Sequence, residues 1–281
     1  MFPTQKPHVS YSEVKTWKEC PWRHKLIYID KILPDETSVH LEYGTLIHSE
    51  IESYLNNKTI DLNLLELNIR RIWDKNKFDS DQNIRINEEF RKSQGWRPKK
   101  HDFVDTWVKW AKTSINDVVQ FLDENFIDWE LVSAEEMLYE DLKNTDVKFK
   151  GFIDCVLKCK DKKGKEIIWV LDWKTSSARG WDYRKKRDFL TQAQIGLYKK
   201  FWVLKNSKNL KNVKCGFVLL KKGAKPGKSC ELIPVSVGPK FIEKADKLVN
   251  SMINIVSSSK MFLKNRESCM FCPFANTEHC K

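Results

Sequence analysis

The sequence predicts an α/β fold, a central mixed sheet flanked by helices with a helical insertion, and three observations predict it. From about residue 56 to 128 the text is charged and helical in spacing. After Trp129, three successive stretches read as strands. Beyond them helices and strands alternate up to a Cys-rich tail. At 281 residues the chain can bury a substantial core, and a single domain spanning 1–281 with the 56–128 insertion accounts for the pattern.

The elements follow in order. "YSEVKTWKECPWRHKLIYIDKI" reads as a short helix starting at Ser12, a turn at Cys20–Pro21, and a second helical stretch. "YGTLIHSEIESYL" places Ile47, Ile51, Tyr54 and Leu55 at helical spacing. The insertion is broken at "SQGWRPKKHDF". "LVSAEEMLYEDL", "VKFKGFIDCVLKCK" and "KEIIWVLDWKTSS" are predicted strands, with "KDKKGKE" as the turn joining the last two. "FLTQAQIGLYKKFWVL" is a helix, "VKCGFVLLKKG" and "CELIPVSVG" are strands, and "KFIEKADKLVNSMINIVSS" is the final helix.

Lys and Arg total 50 against 38 Asp and Glu, a formal charge of +12. This balance favours a polyanionic partner, because each neutralised phosphate releases condensed counterions. Eleven Trp and seven Tyr add stacking surfaces for bases. No apolar run has the length of a membrane span and the N-terminus has no secretory h-region, so the expectation is a soluble, cytoplasmic protein with no membrane partner. The eight Cys are then expected as thiols or metal ligands rather than disulfides.

On "IIWVLDWK", strand alternation sets Ile168, Val170, Asp172 and Lys174 on one face. The preceding strand carries Asp154, and the short turn makes the two strands neighbours. Two carboxylates and an ammonium converging in this way can hold a divalent cation and position a water, the parts that phosphodiester hydrolysis needs. A surface Asp–Lys pair at a strand end is the plainer alternative.

"GFID" followed by "LDWKTS" resembles the core motif of the PD-(D/E)XK nucleases, in the branch of RecB-like exonucleases and their CRISPR-associated relatives. "GTLIHSEIESYL" resembles the histidine-bearing early helix of that branch at His48. "QAQIGLY" resembles its Gln and Tyr pair at Gln194 and Tyr198, whose i, i+4 spacing shares one helical face. The resemblance implies a restriction-endonuclease-like sheet. It also implies a metal site of His48, Asp154 and Asp172 for Mg²⁺ or Mn²⁺, with the Trp173 carbonyl as a further ligand. Lys174 would activate water or stabilise charge, and Gln194 and Tyr198 would position phosphate or lysine. Asp172 stands where relatives often carry Glu. An extra acid, Glu135 or Glu136, could join, and the sequence does not choose between them.

The tail "ESCMFCPFANTEHC" holds Cys269, Cys272 and Cys280, one ligand short of a four-thiolate site. Zinc suits such a set, with His279 competing. The same nuclease branch joins an N-terminal Cys to such a trio. The resemblance therefore implies that Cys20 completes a [4Fe–4S] staple, a metal-cluster lobe made of Cys20 with residues 269–281. Cys155, Cys159, Cys215 and Cys230 read as structural.

Two basic segments with interleaved aromatics are expected to track DNA. One contributes Arg179, Arg184, Lys185, Lys186 and Arg187. The other contributes Trp96 and Arg97, followed by Lys99, Lys100 and His101. The resemblance implies an exonuclease on single-stranded DNA ends, in recombination, repair or processing. The rivals are an endonuclease or flap nuclease on the same core, and a non-catalytic DNA-binding scaffold. The chain has no G-x4-G-K-[ST] loop, so ATP-driven translocation would need a helicase or recombination partner.

Overall fold

The computed structural model describes residues 2–33, 37–143, 145–258, 261–270 and 272–281. Strand β1 (His8–Ser10) leads into α1 (Tyr11–Glu19), and α2 (Pro21–His24) runs on as a π-helical turn through Ile29. Then come α3 (Val39–Asn57), α4 (Leu62–Asn76), α5 (Asp81–Ser93) and α6 (Val104–Asn125). The strands β2 (Ile127–Asp141), β3 (Lys148–Lys160) and β4 (Glu166–Ser177) are consecutive. After α7 (Tyr183–Arg187) and α8 (Phe189–Lys205) follow β5 (Val213–Lys222), β6 (Cys230–Pro234) and α9 (Pro239–Ser258).

Local chemistry explains the boundaries. Ser10 caps α1 by accepting the Glu13 N–H, and Asp188 does the same for α8 through Thr191. The turn between β3 and β4 closes with an Asp161 N–H bond to Lys165 and a Gly164 in the left-handed region. The first helix therefore starts one residue earlier than expected. The last strand stops at Pro234, which has no N–H to donate, rather than running on through "VSVG". β1 and α7 are too short to show a periodic signal in the sequence, and neither was anticipated.

The described strands form one mixed sheet. β2 pairs antiparallel with β3 along both of their lengths. The other edge of β3 is shared: β1 runs parallel to Lys148–Lys150, and β4 pairs antiparallel with 155–160. Residues 151–154 lie between the two, where β4 has forked away. β4 pairs parallel with β5 across the α8 crossover, and β6 closes the far edge antiparallel to β5.

Helices α1, α8 and α9 cover one face over a core that includes Val14, Phe149, Val170, Phe201 and Met252. On the other face α3, α4 and α6 pack Ile47, Ile69 and Ala111 against Leu157, Leu171 and Val218. The inserted helices α4 and α6 thus build half of the core, whereas α5 buries none of its residues. Asp117 of α6 accepts the Gly227 and Ser229 N–H groups at 2.8 and 2.9 Å and the Ser229 hydroxyl at 2.7 Å, fastening the β5–β6 hairpin to the helical layer. Among the described residues, no helix is long and apolar enough to cross a membrane.

Candidate active site

The fork between β3 and β4 organises the site. Cys155 opposite Leu171 is the last rung of their ladder. Beyond it Trp173 has no β3 carbonyl to meet, and its N–H donates instead to Asp154 Oδ2 at 2.7 Å. Asp154 thus caps the opening ladder and stands in the crotch of the fork.

On β4, Asp172 faces α8 on the side of Ile168 and Val170 and is only 1% exposed. Lys174 Nζ lies 2.5 Å from Asp172 Oδ2. On α8 the Gln194 amide donates to Asp172 Oδ1 at 3.1 Å and to the Tyr198 hydroxyl at 3.2 Å. One chain of contacts therefore joins Tyr198, Gln194, Asp172 and Lys174.

The opposite layer brings in His48 on α3. Its Nδ1 lies 3.5 Å from Asp154 Oδ2. β2 supplies an acid. The register pairs Ala134 with Cys155 and Glu136 with Ile153, so Glu135 sits opposite Asp154. Glu135 has φ +47°, an unusual value for a side-chain-bearing residue in a strand, with a cost of roughly 1–2 kcal/mol. The kink breaks the alternation of both strands: Cys155 packs in the α3 core and Ile153 in the α8 core. Glu136 turns the other way, to Trp202 Nε1 at 2.9 Å and Lys205 Nζ at 2.8 Å. Of the two acids that the sequence left open, the one that stands with His48 and Asp154 is Glu135.

His48, Glu135 and Asp154 bring ligand atoms within 4.8 Å of one another, and among the described residues no other His, Cys, Asp or Glu trio does so. Opposite ligands of one six-coordinate Mg²⁺ stand about 4.2 Å apart, so small rotations suffice to close on an ion. Carboxylate oxygens with one imidazole suit Mg²⁺ or Mn²⁺, and the set fits.

The electrostatics agree with that donor set. Burial, and then the charge of Asp172, push the Asp154 carboxyl well above the usual carboxylate range. Burial, followed by Glu52 and Asp172, likewise raises Glu135. Such crowding of acids in a desolvated site is relieved by a cation. Burial lowers the His48 imidazole and keeps it neutral, the form that ligates metal. Burial pulls down on Lys174 too, but Asp172 and Asp154 outweigh it and hold the ammonium above its ordinary value.

The site opens into a cleft of about 380 Å³ whose walls include Ser10, Lys150, Phe152, Asp172, Lys174 and Tyr198. The basic segments relate to it unevenly. Lys185, over the Trp181 ring at 4.9 Å, feels the charge of Lys174, and Arg179 and Arg184 are exposed nearby in sequence. Lys186 pairs with Glu231 at 2.6 Å, and Arg187 stacks on Tyr183. Trp96 and Arg97 contribute nothing to the cleft lining. Their segment folds back on the insertion, with Arg91 bonded to the Arg97 carbonyl, Lys99 to Asp102 and His101 to Asp79.

At the C-terminal end of α1, whose first residues line the cleft, Cys20, Cys269, Cys272 and Cys280 line one small cavity. The chain segments that carry them are stitched together. Trp22 Nε1 donates to the His279 carbonyl at 3.0 Å, Asn265 Nδ2 to the Glu19 carbonyl at 2.8 Å, and the Asn265 N–H to Cys20 Sγ at 3.4 Å. The remaining cysteines sit in strands. Burial raises the thiols of Cys155 and Cys159 and pushes those of Cys215 and Cys230 up to about 12.

The family model described as the PD-(D/E)XK nuclease superfamily matches residues 8–277. No curated protein matches the sequence. A solved structure of a candidate exonuclease from Eubacterium rectale superposes with a TM-score of 0.54 at 13% identity, over 94% of this chain and 86% of that one, a likeness of fold alone. SSO0001 aligns over 82% of this chain and 92% of its own at 16% identity, with a TM-score of 0.34.

Proposed function

The chain belongs to the PD-(D/E)XK nuclease superfamily, and on that premise we propose that it is a divalent-metal-dependent deoxyribonuclease acting as an exonuclease on single-stranded ends. One observation carries the reading: Asp154 belongs both to the His48–Glu135–Asp154 cluster and to the cleft that holds the Asp172–Lys174 pair and its Gln194–Tyr198 support.

His48, Glu135, Asp154 and Asp172 are the residues that would hold Mg²⁺ or Mn²⁺. A cation there supplies Lewis acidity toward the phosphate and lowers the pKa of a bound water. The protein's own groups do the rest. Lys174, kept charged by its carboxylate neighbours, stabilises negative charge gathering on the scissile phosphate rather than serving as a neutral base. Gln194 ties up one oxygen of Asp172 and fixes the plane of the carboxylate, leaving the other toward Lys174. Tyr198, whose hydroxyl burial pushes far above neutrality, stays protonated as a donor.

We further propose that the four cysteines around the shared cavity hold a [4Fe–4S] cluster. The four thiols line one cavity, and zinc on the same four residues is the alternative.

The test incubates end-labelled single-stranded, duplex and circular DNA with Mg²⁺ or Mn²⁺, comparing wild type with Asp172→Asn and Lys174→Ala. Wild type is expected to shorten linear single strands, and both variants to be inactive. Equal cutting by variants and wild type sinks the assignment, and cutting of circles makes the enzyme an endonuclease. Anaerobically purified wild type is expected to be brown. Cys269→Ala should lose the colour and melt earlier; full colour and wild-type melting in that variant refute the cluster.

A further inference from the structure

Met137, Tyr139 and Phe152 expose 50%, 39% and 44% of their surface, although they lie on the two longest strands, β2 at the sheet edge and β3 beside it. The ladder pairs Met137 with Phe152, Tyr139 with Lys150 and Asp141 with Lys148, while β1 sets Ser10 beside Lys150 and His8 beside Lys148. Leu138, Phe149 and Gly151 alternate with them and point into the α8 core. These exposed side chains therefore stand together on the opposite face, on a part of it that the helical layer leaves bare. Successive rungs on one face are about 7 Å apart, so Tyr139 and Phe152 are diagonal neighbours.

The patch is cationic as well as aromatic. Lys150 Nζ lies 5.6 Å from the Phe152 centroid and Lys148 Nζ 5.5 Å from that of Tyr139, and the His8 ring meets Tyr139 edge-on at 5.9 Å. Lys148 is also tied to Asp141, which leaves Lys150 as the freer cation. The patch is continuous with the catalytic cleft, since Lys150 and Phe152 line both.

We propose that this bare face of β2 and β3 is a stacking platform for unpaired bases. Phe152 and Tyr139 receive successive bases of a single strand, and Lys150 neutralises its phosphate as the strand runs toward Asp154. Stacking is open to every base and needs its flat face exposed, so the platform takes single strands of any sequence and refuses duplex. The inference rests on reading the cleft as a nuclease site, and it adds the residues that hold the single strand and the physical reason for refusing duplex.

The experiment measures fluorescence anisotropy of an end-labelled oligothymidylate of about 15 nucleotides, and of a blunt duplex, with chelator present so that nothing is cut. Phe152→Ala and Tyr139→Ala should each weaken oligothymidylate binding about 5- to 150-fold while leaving duplex binding unchanged. Phe152→Tyr and Tyr139→Phe, which keep the ring, should bind as wild type. Wild-type oligothymidylate affinity in alanine variants that melt normally overturns the proposal. So does an unchanged affinity accompanied by loss of a wild-type dimer, which makes the face an interface between copies. Asp172→Asn separates the two readings: it should bind oligothymidylate normally and, with metal restored, fail to cut it, and cutting by this variant removes the active-site assignment while leaving the platform intact.

Discussion

Gly151, in the fork beside Asp154, is the position where one added methyl group tests the architecture most directly. A Cβ built there falls 2.7 Å from Tyr198 Cε1 and 3.3 Å from Phe149 Cε1, whereas ordinary contact begins at 3.4 Å. The Tyr198 ring would have to retreat by about 0.7 Å, yet it is buried and packed edge-on to Phe149. Overpacking of this kind costs about 1–3 kcal/mol. The same retreat stretches the 3.2 Å bond from Gln194 to the Tyr198 hydroxyl beyond hydrogen-bonding distance and frees the amide that orients Asp172. A misplacement approaching 1 Å in a catalytic constellation costs about a hundredfold in rate. Gly151→Ala should therefore unfold at lower urea concentration and cleave about a hundredfold more slowly at saturating metal. In a Tyr198→Ala background, where the colliding ring is gone, Gly151→Ala should cost far less stability. Wild-type stability and cleavage in the single variant, or equal destabilisation in both backgrounds, would refute the reasoning.

Other expectations follow from the same geometry. Glu135→Gln should weaken Mn²⁺ binding, read by titration calorimetry, with little change in melting; Glu136→Gln should instead leave metal affinity intact and cost about 1.5–3 kcal/mol through its bonds to Trp202 and Lys205. Reversed phenotypes would show that the kink at Glu135 has been misread. The raised carboxyl of Asp154 gives a pH signature. A group whose folded pKa exceeds its unfolded value contributes stability that is complete below the unfolded value and is lost as pH rises through the folded one. A divalent cation competes with that proton, so the rise in Tm on adding Mg²⁺ should be larger at about pH 8 than at about pH 5. A gain independent of pH contradicts this. Asp117→Ala leaves two N–H groups and a hydroxyl of the β5–β6 hairpin without their acceptor, and should cost about 3 kcal/mol in urea unfolding while leaving metal binding unchanged.

What the sequence by itself determined is whatever depends on local geometry. Strand alternation alone put Asp172 and Lys174 on one face with Val170, and helical spacing alone put Gln194 beneath Tyr198; in the fold these side chains touch. The order of the main helices and strands was legible for the same reason, since long periodic segments announce themselves. The choice between Glu135 and Glu136 was not legible, because a positive φ within β2 reverses the alternation that sequence reasoning relies on. Nor could a pattern say that β3 shares one edge between β1 and β4, so that Asp154 caps a broken ladder where the strands part. The binding of Lys186 to Glu231 and the bare aromatic face of β2 and β3 are likewise long-range outcomes, whereas the meeting of Cys20 with the C-terminal cysteines around one cavity was implied by the family resemblance and by no local pattern. Each depends on which surface another element covers, and burial is a property of the packed chain rather than of any window of residues.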